Sequence, residues 1–184
     1  MFENQLDFNY LEFRSLIEDG IIDESGVAVK SARYRTLVLT PGVVPPEEAR
    51  ETLKKLAAQG RVLRWSDKAF DLPGAKLARD DAEAVAALRD SSEIDVDALE
   101  RGESVKGLRV RHVVKGDVDF YFLFNEVETP FSAKLTFGAD DGVKRVRRWN
   151  PETGDVAPIE RDAANPRAFD VELAPYKTTI IAFE

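Results

Sequence analysis

The chain has 184 residues, with 34 acidic against 26 basic side chains and a formal net charge of −8 at pH 7. This acidic balance argues against nucleic acid or an anionic membrane as the main partner, because both require a basic surface. The absence of cysteine excludes thiol catalysis and thiolate zinc sites, and the single histidine excludes mechanisms that need two in one chain. We expect no membrane span, since no apolar run approaches ~18 residues. No signal peptide is visible after Met1, and the compartment stays open.

The residues before 103 alternate between helical and strand-like patterns. Leu6, Tyr10, Phe13 and Ile17 recur at helical spacing, which predicts a helix over residues 6–18 that Gly20 ends. Residues 21–29 follow, with a turn at 24–26, and read as a small hairpin.

A strand–helix–strand unit comes next. Residues 36–39 and 62–65 are short apolar runs typical of buried strands. The helix between them starts after Pro45 and Pro46, and its apolar face is Ala49, Leu53, Leu56 and Ala57. This order predicts a βαβ unit with parallel strands. A last helix is predicted from Asp80, with Glu83 completing a capping box and with Val85 and Leu88 facing inward.

The residues after 103 read almost entirely as short strands. Apolar and polar residues alternate through 108–115, 132–137 and 169–173, and residues 143–149 and 178–183 read as further strands, with turns at 140–142 and 150–154. Residues 118–124 are apolar on both faces, which predicts a central strand. About seven strands with such turns are typical of an antiparallel β-sandwich. The fold class is therefore α/β plus all-β: residues 1–103 form a small βαβ-containing module, and residues 104–184 form the sandwich.

The chemistry-bearing residues have ordinary structural explanations. His112 lies mid-strand without a nucleophile motif, and a packed histidine at a strand edge or domain seam is favoured over a catalytic base. The acidic pairs fall mostly in turns or at a helix start, where carboxylates are common. They are Asp80–Asp81, Asp95 with Asp97, Asp117 with Asp119, and Asp140–Asp141.

Two further features suggest ligands without specifying one. The basic run 144–149 could hold single-stranded nucleic acid, but a solvated strand is favoured in an acidic chain. Trp65 and Trp149 could stack on sugar rings, although large aromatics more often belong to a core. We therefore assign no catalytic, cofactor-binding or metal-ligating residue, and expect no cofactor.

Several motifs together resemble a known family. The sequence Val110-Arg111-His112, followed by residues 119–125, is similar to the strand pair that opens the C-terminal β-sandwich of large multidomain bacterial glycoside hydrolases of the α-L-rhamnosidase type. Residues 149–154 resemble the tryptophan–Asp–Pro–x–Thr–Gly turn of that family, with Asn150 in place of the usual aspartate. The same family shows segments like residues 7–10, 34–41, 60–62, 173–176 and 180–183.

The resemblance implies a non-catalytic part of such an enzyme. In that family the catalytic carboxylates lie in an upstream TIM-like barrel, which needs ~200 residues or more and cannot fit here. The α/β part looks like the later portion of a glutamine-amidotransferase-like module that runs no amidotransfer chemistry, and only one βαβ unit of it remains. The chain is thus read as a fragment, an excised C-terminal region or a stand-alone relic.

Three functional hypotheses remain open at this point. The first is an accessory region with a structural or weakly carbohydrate-binding role. The second is a small glycoside hydrolase with a carboxylate pair at a domain or subunit seam, and the third is a protein-interaction module. The expected partners are a carbohydrate and either the missing upstream catalytic domain or a second copy of the chain. A homodimer would cover the open edge of the short parallel sheet.

Overall fold

A computed structural model describes residues 4–89, 94–96, 106–138, 142, 145–161 and 163–184. The chain divides into two compact units, Asn9–Ser91 and a second formed by Met1–Phe8 with Ser92–Glu184. The predicted boundary at 103–104 lies outside the described residues and stays a prediction. Within the described ranges, no helix has the length and apolar character needed to span a bilayer.

The unit Asn9–Ser91 begins with one helix and a three-stranded antiparallel meander. The elements are α1 (Phe13–Asp19), β1 (Gly20–Asp23), β2 (Gly26–Val29) and β3 (Ala32–Tyr34). Gly26 has a φ of +136°, and an added Cβ would clash with the carbonyl oxygen of Tyr34, so this turn requires glycine. The hairpin is confirmed, and β3 extends it by one unpredicted strand.

A parallel sheet with its crossover helix completes this unit. It contains β4 (Leu37–Leu39), α2 (Glu47–Ala58), β5 (Val62–Trp65), β6 (Lys76–Ala78) and α3 (Asp81–Leu88), with strand order β4-β5-β6. Both strand pairs are parallel, which confirms the βαβ unit. The buried residues of α2 are the four predicted from its periodicity, and they pack in one apolar cluster with Leu39 and Val62.

The second unit is a sandwich of two antiparallel sheets. The strands are β7 (Ile94–Val96), β8 (Leu108–Lys115), β9 (Val118–Asn125), β10 (Phe131–Phe137), β11 (Val146–Trp149), β12 (Val156–Pro158), β13 (Ala168–Leu173) and β14 (Thr178–Phe183). One sheet has the order β13-β10-β7 and the other β12-β11-β14-β9-β8. Seven of these strands follow residue 103, as the sequence pattern predicts.

The sandwich core lies between the two sheets and is rich in aromatic residues. Tyr121 of β9 meets Phe137 of β10 edge-on at a centroid distance of 5.1 Å, and Phe183 of β14 at 5.6 Å. Phe137 stacks on Phe169 at 4.9 Å. Residues from both sheets thus bury one continuous apolar cluster, and this burial supplies most of the stabilisation of a sandwich.

Two local predictions differ from the structure. The helix expected over 6–18 begins only at Phe13, because Gln5 and Asp7 instead contact β8 through side-chain hydrogen bonds. In α3 the buried residues are Ala84 and Leu88, whereas Val85 is half-buried. The predicted cap of that helix is confirmed, since the Glu83 N–H donates to Oδ1 of Asp80 at 2.8 Å.

Candidate functional site

His112 is held in a structural position on β8, the edge strand of its sheet. Its ring stacks on Tyr121 at 4.4 Å with an interplanar angle of 8°. Its Nε2 lies 2.7 Å from Oδ1 of Asp119, and its backbone N–H donates to Oδ2 of Asp7. The ring and the edge of β8 are therefore both engaged by the unit's own residues, in agreement with a packed histidine at a strand edge.

Three of the carboxylates singled out from the sequence, Asp80, Asp81 and Asp119, are each engaged by a neighbouring group of their own unit. Asp80 caps α3, and Asp81 accepts a hydrogen bond from Nε1 of Trp65 at 3.0 Å. Asp119 is engaged by His112. The pair Asp140–Asp141, the residue Asp97 and the side chain of Asp95 lie outside the described residues.

Two arginines of the basic run pair with Glu184. Nε of Arg147 donates to Oε1 of Glu184 at 2.9 Å, and a nitrogen of Arg145 lies 3.6 Å from the other oxygen. Arg148 donates to the carbonyl of Asp170 at 3.4 Å. These pairings favour the interpretation of a solvated strand over that of a nucleic-acid surface.

Both tryptophans are half-buried and contact neighbouring side chains. Phe120 meets Trp149 edge-on at 5.7 Å, and the guanidinium of Arg147 lies 5.9 Å from the ring centroid. Trp65 is half-buried and tied to Asp81 through its indole nitrogen. These contacts are typical of large aromatics that pack at the margin of a core.

A cleft of about 280 Å³ opens at one end of the sandwich. Its walls come from the end of β11 with the turn that follows, and from the segment in which the chain passes from β13 to β14. The polar lining residues carry opposite charges, amides and hydroxyls: Arg148, Asn150, Glu152, Glu172, Lys177, Thr178 and Thr179. The sequence patterns do not identify this cleft.

Paired charges and short turns organise the cleft. Nζ of Lys177 donates to both carboxylate oxygens of Glu152, at 2.7 and 2.8 Å. Oδ1 of Asn150 accepts the N–H of Glu152 at 2.9 Å, which fixes the turn after β11. The hydroxyl of Thr179 donates to the carbonyl of Trp149 at 3.3 Å and ties β14 to β11.

The buried amide of Asn125 positions the opposite wall. Its Nδ2 donates to the carbonyls of Thr129, Leu173 and Ala174 at 2.8, 3.3 and 3.2 Å, while its Oδ1 accepts the N–H of Val127. The residue is fully buried. Because it holds the chain where β13 ends, Asn125 fixes the backbone on which Ala174 and Lys177 approach the cleft.

Tyr176 stands between these two lining residues in a backbone conformation that favours glycine. The Lys177 N–H donates to the carbonyl of Ala174 at 3.2 Å, which closes a turn with Pro175 second and Tyr176 third. The φ of Tyr176 is +58°, and a left-handed non-glycine residue costs about 1–2 kcal/mol. Its side chain is 61% exposed. In the sequence, the only sign of this conformation is a Pro-Tyr pair in which tyrosine takes the third turn position, where glycine is expected. The sequence analysis did not identify it.

A second feature of the sandwich is an aromatic face on the outer side of the five-stranded sheet. Phe122 of β9 is in register with Ile180 of β14, which is in register with Trp149 of β11. The alternate β9 residues Phe120 and Phe124 share this face. Phe122 and Phe124 remain 38% and 36% exposed, so the face forms an apolar surface on the unit.

Two carboxylates outside the cleft and the aromatic face have lowered pKa values. In the hairpin of β1 and β2, the Ser25 hydroxyl and the Arg33 guanidinium hold the pKa of Asp23 well below its usual range. On α2, Lys54 lowers the pKa of Glu51. Both carboxylates are exposed and stabilise local structure. The described residues contain no group of three or more His, Asp or Glu side chains arranged to hold a metal ion.

The fold is similar to part of one solved glycoside hydrolase. A rhamnosidase from Novosphingobium sp. PP1Y superposes with a TM-score of 0.66 over 95% of this chain, at 17% sequence identity. The chain spans 19% of the length of that enzyme. A GH30 endoxylanase from Clostridium papyrosolvens C71 matches 82% of this chain at 11% identity, covering 42% of its own chain, but with a TM-score of only 0.35. No family model matches, and no curated protein matches by sequence.

Proposed function

We propose that this chain is a non-catalytic accessory region related to the C-terminal part of rhamnosidase-type glycoside hydrolases. The observation that carries the proposal is the size of the match: almost the whole chain superposes on about a fifth of a rhamnosidase. A fold that forms a minor part of a large enzyme is suited to packing against, and supporting, another domain.

The engagement of the titratable side chains supports a non-catalytic role. A glycosidase needs one carboxyl to deliver a proton and a second carboxylate beside the same bond. In the cleft, the ammonium of Lys177 contacts both oxygens of Glu152. His112 is stacked on Tyr121 and tied to Asp119. These groups stabilise the sandwich, and such contacts account for their positions without a reaction.

The aromatic face supports the packing role. Its half-exposed phenylalanines, Phe122 and Phe124, lie on a strand paired on both sides, so the surface is rigid and presents apolar area without loop movement. A rigid apolar patch of this kind is typical of a surface that another domain covers. A glycoside hydrolase catalytic domain is the partner that we propose for it.

One observation favours a second candidate, a small glycoside hydrolase. Two glutamates, Glu152 and Glu172, line the same cleft. Paired carboxylates that flank a glycosidic bond would be the chemistry of such an enzyme. The third hypothesis, a general protein-interaction module, has no separate observation in its favour beyond the aromatic face.

A turnover assay separates the two candidates. The purified chain is incubated with nitrophenyl glycosides of α-L-rhamnose, β-D-xylose and α-D-galactose from pH 4 to 8, beside its Glu152→Gln and Glu172→Gln variants. We expect no nitrophenol release above the buffer rate. Release with a bell-shaped pH profile, lost in either variant, would show an acid–base pair and overturn the proposal.

A further inference from the structure

The ring of Tyr176 is exposed, and the described part of the fold gives it no structural role. No hydrogen bond or ring contact joins its side chain to another described residue, and it is 61% exposed. Its backbone takes a left-handed conformation that a glycine would adopt without steric cost. Residues kept in such conformations often serve a binding site.

The cleft has a mixed polar and apolar lining that carries no net charge among the described residues, and Tyr176 lies between its lining residues Ala174 and Lys177 along the chain. Two cations, Arg148 and Lys177, balance two carboxylates, Glu152 and Glu172. Such a site does not select for a strongly charged ligand, because the two cations and the two carboxylates act on that ligand in opposite directions. The lining favours a ligand that both donates and accepts hydrogen bonds.

Donors and acceptors remain available for that ligand. The carboxylate of Glu172 has no hydrogen-bond partner among the described side chains, and its residue is exposed. The Oδ1 of Asn150 is used by the local turn, whereas no described residue accepts a hydrogen bond from its Nδ2. The Lys177–Glu152 pair is half-exposed, so both charged groups can still bind a hydroxyl.

We propose that this cleft binds a neutral oligosaccharide, with the ring of Tyr176 packing against the apolar face of one sugar. Hydroxyl groups both donate and accept, which matches the carboxylate of Glu172, the amide of Asn150 and the Lys177–Glu152 pair. Aromatic rings beside a few convergent polar groups are the usual composition of small-ligand sites. This site is separate from the aromatic sheet face, and its binding role does not depend on the proposed accessory function.

The variant Tyr176→Gly tests the site while avoiding loss of the fold. Glycine removes the ring and relieves the left-handed backbone, so the thermal midpoint is expected to be unchanged or higher. Glu172→Gln replaces the free carboxylate with a neutral amide of the same shape. Tyr10→Ala removes a 95% exposed tyrosine in the other unit and serves as the matched control.

Binding is measured by titration calorimetry and ligand-observed NMR with neutral oligosaccharides of rhamnose, xylose, arabinose or galactose, and with an oligogalacturonate as the acidic probe. We expect millimolar or tighter binding to at least one neutral probe, weakened at least tenfold by Tyr176→Gly and severalfold by Glu172→Gln. Tyr10→Ala should bind like the wild type.

Three results would overturn the inference. They are no binding of any neutral probe by folded protein, binding that Tyr176→Gly leaves unchanged, and binding of the acidic probe alone. The accessory proposal is overturned by a different result, which is enzymatic turnover of a glycoside. Sugar binding without turnover supports both proposals, and turnover without an effect of Tyr176→Gly would overturn both.

Discussion

Asn125 shows how one buried polar side chain sets the geometry of a surface site. Its amide nitrogen serves three carbonyl oxygens at the end of β13 and in the loop before β10, and the residue is fully buried. Buried polar groups of this kind are costly to leave without partners. The position of the Ala174–Lys177 turn, and hence of the cleft wall, therefore depends on a residue that does not line the cleft.

Asn125→Ala is expected to lower the free energy of unfolding by about 2–4 kcal/mol, because buried carbonyl oxygens lose their donor. Urea denaturation followed by tryptophan fluorescence measures the loss. Ser132→Ala, an exposed change on β10, is the control and should stay within about 0.5 kcal/mol of the wild type. A loss below about 1 kcal/mol for Asn125→Ala would contradict the role given to this amide.

Asp23 makes a pH-dependent contribution to the hairpin of the first unit. Its oxygens accept from the N–H and hydroxyl of Ser25, at 2.8 and 2.6 Å, and from Arg33. These donors favour the charged form and lower the pKa of the carboxyl in the folded state. A lowered folded pKa stabilises the fold above the unfolded value of about 3.9, and this contribution fades as the pH falls towards the folded pKa.

We therefore expect Asp23→Asn to lower the melting temperature at pH 7, with a smaller difference from the wild type at pH 3. Thermal melts by circular dichroism at the two pH values provide the measurement. The neighbouring exposed carboxylate Glu24, changed to Gln, is the control and should show no such trend. An equal difference at both pH values would refute the electrostatic explanation.

At the scale of elements, β9 has two apolar faces, one in the sandwich core and one on the outer side of the sheet. Leu123 is fully buried in the sandwich core, whereas its neighbour Phe122 is 38% exposed on the outer sheet face. The strand lies between β14 and β8, so its backbone is paired on both sides. Continuous apolar character along the sequence correctly predicted such a strand, but it did not distinguish the core face from the outer one.

The two faces should respond differently to the same substitution. Leu123→Ser leaves a cavity and a buried hydroxyl and should cost about 3–5 kcal/mol. Phe122→Ser should cost about 1 kcal/mol, because much of its ring is already in water. Chemical denaturation of both variants compares them directly. Equal losses in the free energy of unfolding would mean that the outer face belongs to the core. The aromatic face would then no longer support the proposal that another domain covers it.

At the scale of the whole molecule, the short parallel sheet retains an open edge. The sheet order β4-β5-β6 leaves β4 and β6 with one hydrogen-bonded neighbour each among the described strands. The exposed Lys76 on β6 discourages pairing there, since charged side chains protect sheet edges. Strand β4 consists of Leu37, Val38 and Leu39, without a charge.

We expect the chain to form a homodimer through the β4 edge at micromolar concentration. Sedimentation velocity from 1 to 100 µM measures the association, with Val38→Lys expected to reduce it and Phe122→Lys on the sandwich expected to leave it intact. Thermal melts confirm that both variants fold. A strictly monomeric wild type over this range would refute the prediction, and loss of the dimer only in Phe122→Lys would move the interface to the aromatic face.

The sequence by itself determined the elements whose burial pattern is local. The four buried residues of α2 and the alternation in β13 could be read directly, because one face of each element repeats at a fixed period. The same logic gave the βαβ unit and the antiparallel sandwich. The motifs also indicated the rhamnosidase-like fold, which the structural comparison supports at the level of a glycoside hydrolase fold.

Only the tertiary structure decided which distant segments meet. Strand β7 pairs with β10, which is distant along the chain, whereas β3, β6 and β12 each pair with the preceding strand. In all four, three residues are too few to carry a period. Residues 6–12 follow a helical pattern but do not form a helix, since Gln5 and Asp7 bond to β8, more than 100 residues away. The cleft likewise joins residues from 148–152 to residues from 172–179, and the turn between Ala174 and Lys177 holds Tyr176 in a left-handed conformation that composition and periodicity do not encode.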